Sequence, residues 1–252
     1  MSDRSHPSLI RAVRSAFGRV AVRISAVVVT SPQGKFAAAA SLDGATCAGV
    51  TASGKHVFYH FDDRHVHVHL GLRGFFAEHA APVPDPQGWV RMRLAVPAGA
   101  VDLYAPMKCE VYDDSAVAAT LAKLGPDPLV SDDEDAAVAR LLAFRGPVGA
   151  ALLDQSVWAG LGNAFRSELL YLARVLPSRA CAALTGDEAH ALWRSARDQM
   201  LVGARLGTIA TVDGATDAKW VYKQETCRGC GAPVPTATIA ARLAHWCPAE
   251  QA

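Results

Sequence analysis

The sequence predicts an α+β protein of two domains: an N-terminal β-sandwich with flanking helices, then a C-terminal helical domain ending in a small β-hairpin finger. Three observations predict it. Short runs rich in β-branched and aromatic residues, broken by Gly, Pro and Asp, recur through residues 19–112. After the breaker Gly125-Pro126-Asp127-Pro128 the apolar spacing becomes helical. Near the end, Cys227 and Cys230 form a close pair, with Cys247 downstream, in the pattern of a metal-binding tail.

In chain order, Leu9, Ile10, Val13, Ala16 and Phe17 recur at helical spacing, so 6–17 reads as an amphipathic helix. Residues 19–30, 55–61, 65–70, 89–95, 98–104 and 107–112 read as antiparallel strands, and 79–88 as a loop. A helix over 115–124 is expected, capped by Asp114. Helices follow near 133–144, 147–154, 163–174 and 187–204. Residues 207–218 form a polar connection, and short strands surround the cysteines. The expected divisions are a sandwich domain over 1–117, a linker over 118–130, a helical domain over 131–206 and the finger over 219–252.

With 252 residues, 51% of them hydrophobic, the chain can fill two cores, which excludes wholesale disorder. No apolar run approaches the ~18–20 residues that span a bilayer, and no secretory signal is evident. Six cysteines with one close pair point to a reducing compartment and to metal rather than disulfides. We expect a cytoplasmic monomer with no membrane partner. The net charge of +1 hides an asymmetry: residues 1–25 hold five arginines and one acid, whereas 110–137 hold eight acids and one lysine. A basic face of this kind permits a polyanionic partner.

The stretch "LLDQSVWAGLGNAFRSELLYLARVLP", residues 152–177, carries the most information. Gly160 and Gly162 allow a tight turn with open backbone amides, and Asn163 begins a helix. Unpaired N–H groups and the helix dipole favour an anion at such a place; an ordinary helical hairpin is the alternative. The stretch closely resembles the helix–two-turn–helix motif of the formamidopyrimidine-DNA glycosylase/endonuclease VIII family. Other stretches fall in that family's order. "SGKHVFYHF" (53–61) resembles its lysine-bearing strand, "HVHLGLRGFF" (67–76) the segment of its wedge residue, "LGPDPL" (124–129) its linker, and the tail its zinc finger. The likeness covers nearly the whole chain and is greatest to the endonuclease VIII side.

That resemblance implies double-stranded damaged DNA as the partner, held between two domains, with a damaged base flipped out of the duplex. In the family an N-terminal proline amine attacks the sugar C1′ to form a Schiff base, elimination cuts the strand, and a neighbouring glutamate moves protons. The family begins Met-Pro-Glu, whereas this chain begins Met-Ser-Asp. Aligned from the N-terminus, Ser2 replaces the proline and Asp3 the glutamate; aligned from the following helix, Asp3 and Arg4 do. A Ser2 α-amine, with pKa near ~8, suits an amine nucleophile once Met1 is removed. Lys55 matches a lysine that contacts phosphate and assists the chemistry, and a lysine can itself form a Schiff base. Leu72 matches the wedge, Arg73 could reach the orphaned base, and Asn163 and Arg242 match phosphate-gripping positions.

The resemblance also implies one structural zinc. Cys227, Cys230, Cys247 and Glu250 keep four-ligand spacing, with glutamate where a fourth cysteine is usual. His245 as ligand, or a metal-free finger held by packing around Trp246, are the alternatives. His65, His67 and His69 alternate on one strand face, which allows a separate metal site and a metal hydrolase. The leading function is base excision with abasic-site lyase activity, and the competing one is a non-catalytic lesion binder.

Overall fold

In the computed structural model, residues 27–213, 215–216 and 218–252 are described. The expected helix over 6–17, most of the first expected strand, and Ser2 and Asp3 lie outside them. The described residues form two compact units, 27–121 and 122–252.

The first unit is built from two four-stranded antiparallel sheets. One has β1 (Val28–Thr30), β6 (Val90–Val96), β7 (Gly99–Tyr104) and β5 (Phe75–Ala80), in that order. The other has β2 (Cys47–Ser53), β3 (His56–Phe61), β4 (Arg64–His69) and β8 (Lys108–Tyr112). Alternation explains the core. Val57, Tyr59 and Phe61 of β3, with Val66 and Val68 of β4, pack with Met92, Leu94 and Leu103 of the other sheet. The opposite face of β3 and β4 carries His56, Phe58 and His60 against His69, His67 and His65. A short helix α1 (Ala39–Leu42) adds two buried side chains, and α2 (Asp114–Leu121) follows β8.

Three expectations change here. The anticipated loop over 79–88 begins as strand, because β5 stays paired with β7 through Ala80. The cap of α2 is Asp113, not Asp114: the Asp113 carboxylate accepts from the Ala116 N–H at 2.8 Å. The helix expected over 115–124 stops early, since α2 ends at Leu121.

The second unit holds α3 (Glu134–Ala143), α4 (Val148–Ala151), α5 (Asn163–Leu172) and α6 (Gly186–Leu206), with a short 3₁₀ turn at Cys181–Ala183. Asp133 caps α3 through the Ala136 N–H, and Thr185 with Glu188 forms a reciprocal capping box on α6. The core surrounds Trp158 and Trp193, whose rings meet edge-on at 5.1 Å. The finger hairpin, β9 (Thr236–Ile239) and β10 (Arg242–His245), belongs to this same unit and packs on α5. That contact, with α4 and α6 on other sides, leaves every residue from Ala164 to Leu170 buried.

Candidate nucleic-acid interface

Strand register places the sequence-predicted residues of the first unit at one end of its sandwich. Ser53 pairs His56, His56 pairs His69, and His69 pairs Lys108, so the β2–β3 turn with Lys55 lies beside the ends of β4 and β8. The β4–β5 turn, with Leu72 and Arg73, and the β7–β8 connection through Met107 leave from the same end. The two connections are joined, as the Met107 N–H donates to the Leu70 carbonyl at 3.3 Å. Gly71, at φ +65°, makes this approach possible, since a Cβ there would sit 2.9 Å from Met107 side-chain carbons. Leu72 is 66% exposed and Met107 65%. Leu72 is therefore not a core residue of this unit, and Met107 is a neighbour that the sequence alone did not single out.

The histidine face sits behind this end. His56 Nδ1 and His67 Nε2 are 2.8 Å apart, as are His60 Nδ1 and His65 Nδ1, while His65 Nε2 meets the Asp114 carboxylate at 2.8 Å. Burial first, then the charges of His69, Lys108 and Lys55, lowers the His56 pKa to about 4. Burial, followed by His56, His69 and Lys108, brings His67 to about 4 as well. Both imidazoles are neutral at pH 7. The histidines pair with one another instead of converging on a metal: among the described residues, the set of three or more metal-binding side chains whose donor atoms converge is Cys227, Cys230 and Cys247. That removes the structural basis for a histidine-based hydrolase.

In the second unit the turn before α5 is stitched by Gln155. Its amide donates to the Leu153 and Leu161 carbonyls, and its oxygen accepts the Gly160 N–H at 3.0 Å. Gly162 caps α5 without a side-chain bond. Asn163 braces the finger: its amide donates to the Leu243 carbonyl at 3.0 Å and its oxygen accepts from Arg166. Arg166 is fully buried and also donates to the carbonyls of Gly149, Ile239 and Arg242. These bonds fix the hairpin tip, where Ala240 and Ala241 take φ of 51° and 57°, immediately before the exposed Arg242. Glu168, likewise fully buried, accepts the N–H groups of Trp220, Val221 and Tyr222 and the Thr211 hydroxyl. Spacing alone did not reveal Gln155, Arg166 or Glu168, because most of their partners lie far along the chain or on backbone atoms.

The three cysteine sulfurs lie within 4.8 Å of one another, and Cys230 and Cys247 are 3.4 Å apart. Such a thiol set fits zinc in chemistry and spacing. Glu250, expected as the fourth donor, instead meets the Arg174 guanidinium at 3.3 Å. His245 packs on Tyr222 and is not one of the converging donors. Gln251 secures the last knuckle, accepting the Cys247 N–H and donating to the Val175 carbonyl, both at 2.7 Å.

A sandwich with exposed apolar and cationic turns at one end, and a glycine turn with a braced basic hairpin in a second unit, is the layout of a DNA-repair glycosylase. Residues 9–105 match the formamidopyrimidine-DNA glycosylase N-terminal domain, and residues 124–213 match the formamidopyrimidine-DNA glycosylase H2TH domain. The chain belongs to the formamidopyrimidine-DNA glycosylase/endonuclease VIII family, on its endonuclease VIII-like side. It is 41% identical to endonuclease 8 1 of Mycobacterium tuberculosis over 89% of this chain and 91% of that protein. It is 30% identical to the formamidopyrimidine-DNA glycosylase of Geobacillus kaustophilus, over 88% and 87%. In fold it is similar to the Lactococcus lactis enzyme solved with DNA containing N7-benzyl-Fapy-dG: TM-score 0.81, 22% identity, 98% of this chain and 99% of that one.

Proposed function

We propose that this protein acts as a DNA glycosylase and abasic-site lyase on damaged double-stranded DNA, as a cytoplasmic monomer. The observation that carries the reading is the gathering of Lys55, Leu72 and Arg73 at one end of the sandwich in a chain of this family. Leu72, exposed on a tight turn, fills the gap left by the flipped nucleotide, and Arg73 beside it reaches the orphaned base. Lys55 meets the backbone phosphate. The turn at Gly160–Asn163 and the exposed Arg242 hold the phosphates flanking the lesion, with zinc on the cysteine set keeping the hairpin rigid when bound.

The chemistry needs an amine at C1′. The amine attacks C1′ and the damaged base departs with a proton. The sugar ring opens to give the Schiff base, loss of a C2′ proton expels the 3′ phosphate, and water releases the amine. We assign the amine to Ser2 after removal of Met1, with Asp3 as the shorter proton carrier; both lie outside the described residues. Borohydride trapping on an abasic duplex, followed by peptide mapping, tests the assignment. A cross-link at residue 2 is expected, and one at Lys55 moves the nucleophile there. No cross-link and no strand cleavage, from a preparation that still binds the duplex, would leave a lesion-binding protein.

A further inference from the structure

We propose, resting on the DNA-binding reading above, that Lys223 is a further phosphate-binding cation of the second unit and grips the DNA backbone beside Arg242. Lys223 occupies the third position of a tight turn, closed where the Gln224 N–H donates to the Val221 carbonyl at 3.2 Å. Its φ is +58°, a left-handed conformation that turns usually give to glycine or asparagine. A lysine there works against its own backbone, and strained positions of this kind cluster at binding sites. The residue is exposed, and its ammonium stands over the Tyr222 ring, 5.2 Å from the centroid.

The surroundings fix where that charge stands. Glu168 accepts the N–H groups of Trp220, Val221 and Tyr222, so the segment ahead of the turn is pinned to α5. The Tyr222 ring meets His245 of β10 edge-on at 5.1 Å, which sets Lys223 against the finger hairpin. Arg242 opens that same strand, and Asn163 at the start of α5 donates to the Leu243 carbonyl. Lys223, Arg242 and the glycine turn therefore adjoin one hairpin. Other cations of the unit are already engaged: Arg174, Arg179, Arg194 and Arg197 each meet a carboxylate. Among the described residues no carboxylate pairs with Lys223, whose recorded partner is the Tyr222 ring. The ring holds the ammonium without neutralising it, and a lysine on its flexible stem is a point charge suited to phosphate.

Stability and binding are read on the same variants. The full chain is titrated with a fluorescent duplex carrying a tetrahydrofuran abasic analogue, and with an undamaged duplex, over a series of potassium chloride concentrations. Thermal midpoints are measured alongside. Lys223→Gly suits the left-handed turn better, so its midpoint should match or exceed that of the parent protein. Its affinity should nevertheless fall several-fold for both duplexes, since a phosphate contact carries no sequence information. The slope of log affinity against log salt should become shallower by about 1. Lys223→Arg should keep the parent's slope. An unchanged slope in Lys223→Gly, beside a steep slope in the parent, would overturn this inference alone. So would a midpoint that drops together with affinity in Lys223→Gly, which would make the lysine a structural clamp on Tyr222. A parent protein that binds neither duplex would overturn the DNA-binding reading and this inference together.

Discussion

Arg166 and Glu168 are charged side chains with no exposure, two residues apart on one helix. Each bonds mainly to backbone: Arg166 to the carbonyls of Gly149, Ile239 and Arg242 besides the Asn163 oxygen, Glu168 to three consecutive N–H groups besides the Thr211 hydroxyl. Burial lowers the Arg166 pKa to about 10, which leaves it cationic at neutral pH. Bonds to charged groups are worth about 1.5–3 kcal/mol each, and orphaned buried partners add cost. Arg166→Met should therefore destabilise the second unit by about 3 kcal/mol in denaturant melts and weaken DNA binding. Arg242→Ala should weaken binding to all sequences alike with a stability change within about 0.5 kcal/mol, because its side chain is exposed. Equal destabilisation by the two would remove Arg166 as the brace. None of this was legible in "GNAFRSE", since the Arg166 acceptor at Ile239 is 73 residues away. What was legible was the helix start at Asn163, which the glycines before it announce.

At the scale of elements, legibility followed side-chain type. Strands β3, β4 and β8 draw on Val, Phe, Tyr and His, and β6 alternates Val, Met and Leu with Arg, and their pattern gave them away. Strand β2, Cys-Ala-Gly-Val-Thr-Ala-Ser, has small residues and no alternation, and β5 carries Ala and Glu; pairing with a neighbour makes them strands. The β4–β5 turn was legible as a motif but not as a structure joined to Met107. Leu72→Ala should leave the thermal midpoint unchanged, given its exposure, and reduce base excision about tenfold. A midpoint that falls by several degrees would return Leu72 to a packing role. Gly229→Ala, by forcing the Tyr171 oxygen aside, should loosen the finger while the sandwich melts as before, which hydrogen exchange on each unit can read.

For the whole molecule, the two environmental variables that matter are salt and pH. Contact with ~4–6 phosphates predicts that log affinity falls with log salt at a slope of about −4 to −5. Affinity that ignores salt would contradict phosphate binding. His56 and His67 titrate near 4 when folded and near 6.5 when unfolded, so the unfolded chain binds protons first as pH falls. Above about pH 6.5 they should have no effect; from there down to about 4, stability of the sandwich should be progressively lost. Hydrogen exchange of the β3 and β4 amides across that range measures it, and His56→Asn with His67→Gln should flatten the dependence.

One feature of the sandwich bears on how such a protein diversifies. Leu72, Arg73 and Met107 are exposed and lie outside the packed interior of their unit, which includes Val57, Tyr59, Phe61, Val68, Leu94 and their neighbours. Replacements at these positions of the connecting turns therefore draw little on folding free energy, whereas Gly71 beside Leu72 is fixed by its close approach to Met107. Lineages are free to explore different lesions there while inheriting one scaffold, and variation in substrate preference should concentrate in those turns and spare the strands that carry them.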